Sequence, residues 1–465
     1  MIARILVSTF FISVLASASC AADIESRLNG LEEVLKKQQE MIEEQQRFIN
    51  QLKEELSAIK QQSPEKDQHT IVRGAKPEQA ASTEQTPKPS GLSGLFGGSV
   101  MTNPYISLVL NSFFYSSSIN ERKLDGRGIP GYSTLGFDQR KGFNISEGEL
   151  FLFSPVDPYF NLYANIPFTE NGVSLEEAYF VTTALPEGFQ LKGGKFKSNI
   201  SRLNAQHPHA WDFVDAPLVY RGFLGKEGLI EKGVQFTYLP SLPFYTQLGV
   251  EVLQGENEVM FNGNATGGPH ALSGFVKSSF DFAESSTILF GPYVVGGRTR
   301  TNTVANDTLF SGNSVLYGFE TVYKWKPSAL KSFILQGEYV VRRQSGELTS
   351  ATLGAEDRLT RSQDGMYVQG LYQMGRWRIG ARYDRLAIFK DDYRLAGAEQ
   401  GFGSNLWRGT GALEFNPTEF SRLRLQYNYD RSGMDAVTGL TDGRTNHEVY
   451  LQLILGIGAH AAHAF

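Results

Sequence analysis

The chain holds a single cysteine, Cys20, in 465 residues, which excludes a disulfide framework. It also lacks the long apolar run of a helical membrane protein. Outside the first residues, no stretch approaches the roughly 18 uninterrupted apolar residues of a spanning helix. Positive charge is not in surplus either: 44 Lys and Arg face 49 Asp and Glu, a formal net charge of -5, which removes the electrostatic reason to expect nucleic-acid binding. No Walker loop, zincin helix or dinucleotide fingerprint is present. GGRTRTN at 296–302 is glycine-rich, but it runs from a strand into a loop and reads as a turn. His447 opens the last predicted strand, and no pattern sets a Ser–acid pair beside it, so no enzymatic constellation emerges. Neither a cofactor nor a resident metal is expected.

What the chain has in quantity is aromatic residues and glycine: 32 Phe, 20 Tyr and 48 Gly, with hydrophobic residues at only 41%. The mean hydropathy of -0.26 looks soluble. A lipid-facing β-barrel reconciles these values, because its strands show only every second residue to lipid.

Residues 1–22 read as a secretory leader, with Arg4 ahead of a short apolar core (Ile5 to Ala16) and small residues before Asp23. SASC, ending in Cys20, also matches a degenerate lipoprotein box. Residues 23–62 read as a periplasmic coiled coil. Leu28, Leu35, Ile42, Ile49 and Leu56 occupy a positions; Ile24, Leu31, Leu52 and Ile59 occupy d, with Gln38 and Gln45 in the remaining d layers. Isoleucine at both a and d leans toward three strands, hence a homotrimer. Residues 63–99 carry Pro64, Pro77, Pro87 and Pro89 among polar residues and end in GLSGLFGGS, a flexible linker.

Residues 100–465 alternate with period 2, the mark of strands with one wet and one greasy face. In SRLRLQYNYDR, Leu423, Leu425, Tyr427 and Tyr429 oppose Arg422, Arg424, Gln426, Asn428 and Asp430. Similar alternation in RWRIGARYD, SVLYGFETVYKW and FILQGEYVVRR leads to about sixteen antiparallel strands of an all-β transmembrane barrel. Tight Pro- or Gly-containing links at 154–158, 185–188, 240–243 and 416–419 alternate with long polar loops near 116–143, 255–270, 297–312, 345–362, 388–404 and 431–445. Short periplasmic turns and long extracellular loops are the barrel arrangement. The final strand alternates toward Phe465, similar to the assembly signal read by the barrel-assembly machinery.

ISEGELFLFSPVDPYFNLYANIPF (145–168), SLEEAYFVTTALPEGFQLKGGKF (174–196) and RLNAQHPHAWDFVDAPLV (202–219) together resemble the phosphate-selective porin O and P family in its broad sense. The resemblance covers most of residues 103–465 and implies a 16-stranded, usually trimeric barrel that conducts small anions.

Parity assigns Arg342, Arg376, Arg378, Arg382, Arg408, Arg422 and Arg424 to the pore face, together with Glu338 and Asp384. Rings of Arg favour anions; interleaved carboxylates would instead make a charge-balanced lumen, and both readings stay open. The strandless interval 198–226 holds Arg202, His207, His209, Trp211, Asp212, Asp215 and Arg221, and is expected to fold into the lumen as a constriction. HPH with Asp212 is weak spacing for a metal. The leading function is therefore a diffusion channel for small hydrophilic solutes in the outer membrane. The alternative is a structural tether, its stalk reaching about 55 Å toward peptidoglycan or a periplasmic partner. A sheath around an electron-transfer partner would need an unobstructed barrel, which an infolded loop opposes.

Deleting residues 23–62 should leave barrel insertion intact and lower the temperature at which the trimer dissociates on semi-native gels. An unchanged dissociation temperature would show that the coiled coil does not hold the assembly.

Overall fold

A computed structural model describes Lys36 and residues 104–458, apart from residues 125–126, 134–139, 171, 262–267, 306–307, 351–355, 396–397, 401–405 and 436–440. The expected leader with Cys20, the coiled-coil core (Leu28, Leu31, Leu35, Ile42, Ile49, Leu52, Leu56, Ile59), the linker and Phe465 lie outside the described residues.

The strands are β1 (Tyr105–Ser117), β2 (Gly142–Asp157), β3 (Phe160–Thr169), β4 (Gly172–Val173), β5 (Glu177–Thr182) and β6 (Phe189–Lys197). Next come β7 (Ile230–Tyr238), β8 (Tyr245–Leu253), β9 (Ala271–Ala283), β10 (Ser286–Ala305), β11 (Thr308–Ser328) and β12 (Lys331–Ser350). The circuit continues through β13 (Glu356–Met374), β14 (Trp377–Leu395), β15 (Ala398–Gln400), β16 (Trp407–Thr418), β17 (Ser421–Asp430) and β18 (Asn446–Gly458). All eighteen lie in one antiparallel sheet, and β1 pairs with both β2 and β18, so the sheet closes on itself. The two-residue β4 and three-residue β15 are side pairings, because β3 also pairs with β5 and β14 with β16. Among the described residues, sixteen strands thus complete the barrel. Closure leaves no edge with unpaired backbone groups, a necessity for any sheet that meets hydrocarbon.

The side-chain distribution is that of a water-soluble protein turned inside out. On β18, Val449, Leu451, Leu453, Leu455 and Ile457 are exposed on the outer face, whereas Glu448, Tyr450 and Gln452 are buried inside. Leu423, Leu425 and Tyr427 do the same outside Arg424, Gln426 and Asn428 on β17. Aromatic pairs girdle the short-turn end: Phe189–Phe236, Phe244–Phe280, Phe282–Tyr323 and Trp377–Phe415. A second belt near the loop end includes Tyr383, Trp407, Tyr429 and His447. On β16 the belts are marked by Phe415 and Trp407, about 27 Å apart along a strand that rises about 3.4 Å per residue. Strand tilt brings that close to the ~25 Å apolar band of outer-membrane barrels. No helix among the described residues is long and apolar enough to cross a membrane; the spanning elements are strands.

Three of the expected long loops are largely strand. β10 to β14 run 20, 21, 20, 19 and 19 residues, about twice what a bilayer requires, so the described residues near 297–312, 345–362 and 388–400 extend as strand beyond the apolar band. They read as loops because Gly, Ser and Thr blur the alternation there, although Phe310, Leu348 and Leu359 still turn inward and are buried.

Leu451→Arg, at an exposed position on the outer face of β18, should destabilise the barrel by about 2–4 kcal/mol if that position sits near the bilayer midplane. Urea unfolding in lipid vesicles checks this. A cost near zero would argue that this face does not meet lipid.

Candidate functional site

The third long connection, residues 198–229 between β6 and β7, turns into the barrel instead of away from it. Asn204 fastens its two ends together: its amide donates to the Ser198 and Leu229 carbonyls at 2.7 and 3.1 Å and accepts from the Leu229 N–H at 2.7 Å. Gly228, at φ 81, permits this, since a Cβ there would lie 2.4 Å from Asn204 Oδ1. From that neck the segment meets the wall at point after point. The Arg202 N–H donates to Glu320 at 2.8 Å and its guanidinium to Gln336 at 2.8 Å. Asp212 pairs with Arg378 at 2.5 Å. Asp215 accepts from Arg382, Arg408, Gln426 and Asn428 at 2.8, 2.6, 2.8 and 3.1 Å. Burial would raise the Asp215 carboxyl, but Arg408 and Arg382 outweigh it and hold it well below the usual carboxylate range.

The predicted pore residues therefore point inward but mostly meet protein. Arg342, Arg382, Arg408, Arg424, Glu338 and Asp384 are all nearly inaccessible, at 0–3% exposure, because the infolded segment and the first loop lie on them. Arg424 donates to the Trp211 carbonyl and to Glu414; Asp384 accepts from Arg382, Arg408 and the Leu218 N–H. Arg378 and Arg422 keep partial exposure, at 14% and 25% of their side chains. Arg376 departs from the expectation: it sits in the exposed turn before β14, which starts one residue later, so strand parity does not apply to it. Arg221 lies buried on the short helix Leu218–Phe223, its pKa pushed down to about 10 by burial and by Arg408.

On the loop side an apolar cluster fills the interior. Leu218, Val219, Phe223 and Leu224 of the segment pack with Ile129 and Tyr132 of the first loop and with Val295, Leu316, Val340 and Leu386 of the wall. Glycines on the wall make room: a Cβ at Gly365 would meet Val219 at 2.8 Å, and one at Gly380 would meet Phe213 at 3.2 Å. Below this cluster Glu338 accepts from Tyr293 at 2.5 Å, Tyr220 at 3.1 Å and Tyr367 at 3.3 Å. Sequence reasoning missed two parts of this site. The first is the tyrosine cradle, whose members come from the segment and from three strands far apart in sequence. The second is the first loop, expected outside, where Arg361 donates to the Gly131 carbonyl at 2.6 Å and Arg127 pairs with Asp430 and Asp442 at 3.4 and 3.1 Å. The apolar residues Ile119, Leu124, Ile129 and Tyr132, buried in a loop expected at the surface, were the available signal.

His207 and His209 flank Pro208, and their rings stack with centroids 5.7 Å apart. His207 Nε2 lies 2.8 Å from Glu177, and its Nδ1 lies 3.3 Å from Glu176; His209 Nδ1 lies 3.0 Å from Glu149. Burial would lower the His207 pKa, but the bonds to Glu176 and Glu177 and the charge of Glu149 hold it up at about 10. Asp212, which together with HPH gives only weak metal spacing in the sequence, pairs with Arg378.

No family model matches the chain. An uncharacterized protein of Aquifex aeolicus (strain VF5) is 41% identical over 384 residues, spanning 78% of this chain and 80% of its own length. Among solved structures, an outer membrane protein of Vibrio cholerae, OmpT, is 11% identical with a TM-score of 0.47, covering 76% of this chain and 97% of its own. The outer membrane channel DcaP of Acinetobacter baumannii is 13% identical with a TM-score of 0.46, covering 77% and 97%. An anion-selective porin from Comamonas acidovorans is 8% identical with a TM-score of 0.47, covering 77% and 100%.

Asp215→Ala removes the acceptor shared by two buried arginines, a loss of about 3–5 kcal/mol for a broken buried pair. The barrel should still show heat-modifiable gel mobility, while amides of 212–224 exchange with deuterium much faster than in the parent. Unchanged protection in that peptide would mean Asp215 does not pin the segment.

Proposed function

The chain belongs to one family with the Aquifex aeolicus protein, and we propose that it is an outer-membrane channel of the porin type, through which small hydrophilic solutes diffuse past a constriction formed by residues 198–229. The observation that carries this reading is the combination of an apolar-outside, polar-inside closed barrel with the connection 198–229 pinned across its interior. A barrel that served only as an anchor has no need of so many charged groups within it, each costly to desolvate unless paired.

The pairing also bears on selectivity. Arg378, Arg382, Arg408 and Arg424 each face a carboxylate within 3.5 Å, so little of their charge is left to act on a passing ion. Toward the short-turn end the inward-facing Lys192, Lys324, Arg202, Arg378 and Arg422 keep some exposure, while exposed Lys123, Arg140, Lys141 and Arg444 lie at the loop end. A basic vestibule before a narrow passage lowers the entry barrier for anions, and we assign the channel a modest preference for small anions. The chain enters β1 and leaves β18 at the short-turn end. That supports a stalk of residues 23–62 on the periplasmic side, holding three barrels together.

Single-channel recording in a planar bilayer under a salt gradient tests the proposal. Discrete conductance steps with an anion-side reversal potential are expected. Lys192→Glu combined with Lys324→Glu should move that potential toward cations. Steps with no such potential would keep the channel and discard the anion preference. A folded, heat-modifiable barrel without conductance would overturn the channel itself.

A further inference from the structure

One buried cluster is not used by the channel reading. Glu147 and Glu149 of β2, Asn165 of β3, Glu176 and Glu177 at the start of β5, and His207 and His209 of the infolded segment converge inside the wall. Each is at most 9% exposed. Four carboxylates there face one ammonium, that of Lys197, 3.3 Å from Glu176. Protonated imidazoles would offset some of that charge: His207 Nδ1 lies 3.3 Å from Glu176 Oε2 and His209 Nδ1 3.0 Å from Glu149 Oε2. Glu147 Oε1, 3.9 Å from His209 Nδ1, is buried without a hydrogen-bond partner, and so is Asn165 Oδ1. Buried polar atoms left unpaired are costly, and two beside a cluster of carboxylates and imidazoles call for a ligand.

The three carboxylate oxygens, with the two Nδ1 atoms, form two triads that share a corner. Glu147 Oε1, Glu149 Oε2 and His209 Nδ1 make one; Glu149 Oε2, Glu176 Oε2 and His207 Nδ1 make the other. The imidazole-to-carboxylate edges are 3.0 and 3.9 Å in the first and 3.3 and 3.7 Å in the second. A cation bound at about 2.0–2.2 Å separates its ligand atoms by roughly 3.3–3.6 Å when tetrahedral and roughly 2.8–3.1 Å when octahedral. The observed edges bracket those values, so only small side-chain shifts are needed. Glu177 completes the design. Its Oε2, 2.8 Å from His207 Nε2, fixes that nitrogen as the N–H and turns Nδ1 toward the shared corner, as a carboxylate behind a metal-bound histidine does. Asn165 now sets its amide nitrogen 2.9 Å from His207 Nδ1; turning the amide over would present the orphaned Oδ1 to an ion.

We propose that this cluster binds a divalent first-row transition cation of the zinc type, with Glu149 as the shared ligand, clamping the infolded segment to β2 and β5. Mixed imidazole and carboxylate donors suit zinc, manganese or iron(II) better than calcium, which takes oxygen ligands. The inference does not depend on whether the barrel conducts.

The full chain, stripped with chelator and folded in detergent, would be equilibrated with zinc alone, dialysed, and assayed for metal content and thermal unfolding. Cobalt(II) would serve as a spectroscopic substitute. One to two zinc ions per chain are expected, with a raised unfolding temperature and visible cobalt absorption from nitrogen and oxygen ligation. Glu149→Gln should lower zinc affinity by roughly tenfold or more, and His209→Gln should do likewise. His447→Gln, at an exposed position on β18, should retain it, which separates the site from adventitious binding at surface histidines. The proposal fails if the parent retains no zinc, or if Glu149→Gln and His209→Gln proteins with intact heat-modifiability retain as much as the parent. Should Glu149→Gln not fold, His209→Gln alone decides between these outcomes.

Discussion

Asp215, held between Arg382 and Arg408, shows the constraint on which the rest of the structure depends: charge placed inside a barrel must be answered from inside it. A closed sheet in lipid gives its outer face to hydrocarbon, so every second residue that is not apolar is sent to the interior. In this chain that interior receives Arg342, Arg382, Arg408, Arg424, Glu320, Glu338, Asp384 and Glu414. A wide water-filled lumen would solvate them. Here they are packed to near-zero exposure, and buried ions are tolerated only when paired and hydrogen-bonded. Part of the pairing is along the wall, as between Arg424 and Glu414 at 2.7 Å. The remainder comes from the infolded segment through Asp212, Asp215 and the carbonyls of Trp211, Asp215 and Ala216. The arginines act as mortar for the infolded segment.

The apolar cluster on the loop side follows from the same placement. Once Asp215 fixes the segment against β14 and β16, the helix Leu218–Phe223 is held over the inner wall and buries Leu218, Val219 and Phe223 there. At roughly 25 cal/mol per Å² of apolar surface, such burial rewards a segment that charge alone has positioned. Glycines at 365 and 380 allow the approach. In the proposed channel, solute would pass through whatever space lies beside this assembly.

How much of this was legible in the sequence divides by the range of the interaction. Alternation is local, so the faces of Leu423, Arg424, Leu425 and Gln426 could be read directly. The absence of alternation over 198–226 pointed to an infolded segment for the same reason. Arg376 was misassigned because parity has meaning only inside a strand, and one residue of boundary decides it. The long strand extensions were hidden because Gly, Ser and Thr blur the alternation there, although Phe310, Leu348 and Leu359 keep one face buried. The least legible were contacts set by register across the barrel: Glu338 under three tyrosines, and the glutamates around His207 and His209. Glu147, Glu149, Glu176 and Glu177 sit on ordinary strand positions, and nothing near them in sequence reveals that two histidines will arrive from another connection.

That arrival gives the segment its mechanical character. Between His207, tied to Glu177 of β5, and Asp212, tied to Arg378 of β14, the chain has five residues to cross, at most about 17 Å when extended. Going round the barrel the short way, the same two strands are separated by β3, β2, β1, β18, β17 and β16. The stretch 207–215 is therefore a strut across a chord, fixed at one end by imidazoles and carboxylates and at the other by arginines and aspartates. A strut fixed at both ends sets a width. In the proposed channel, the histidine cluster and the Asp215 cradle would bear on one aperture from opposite walls.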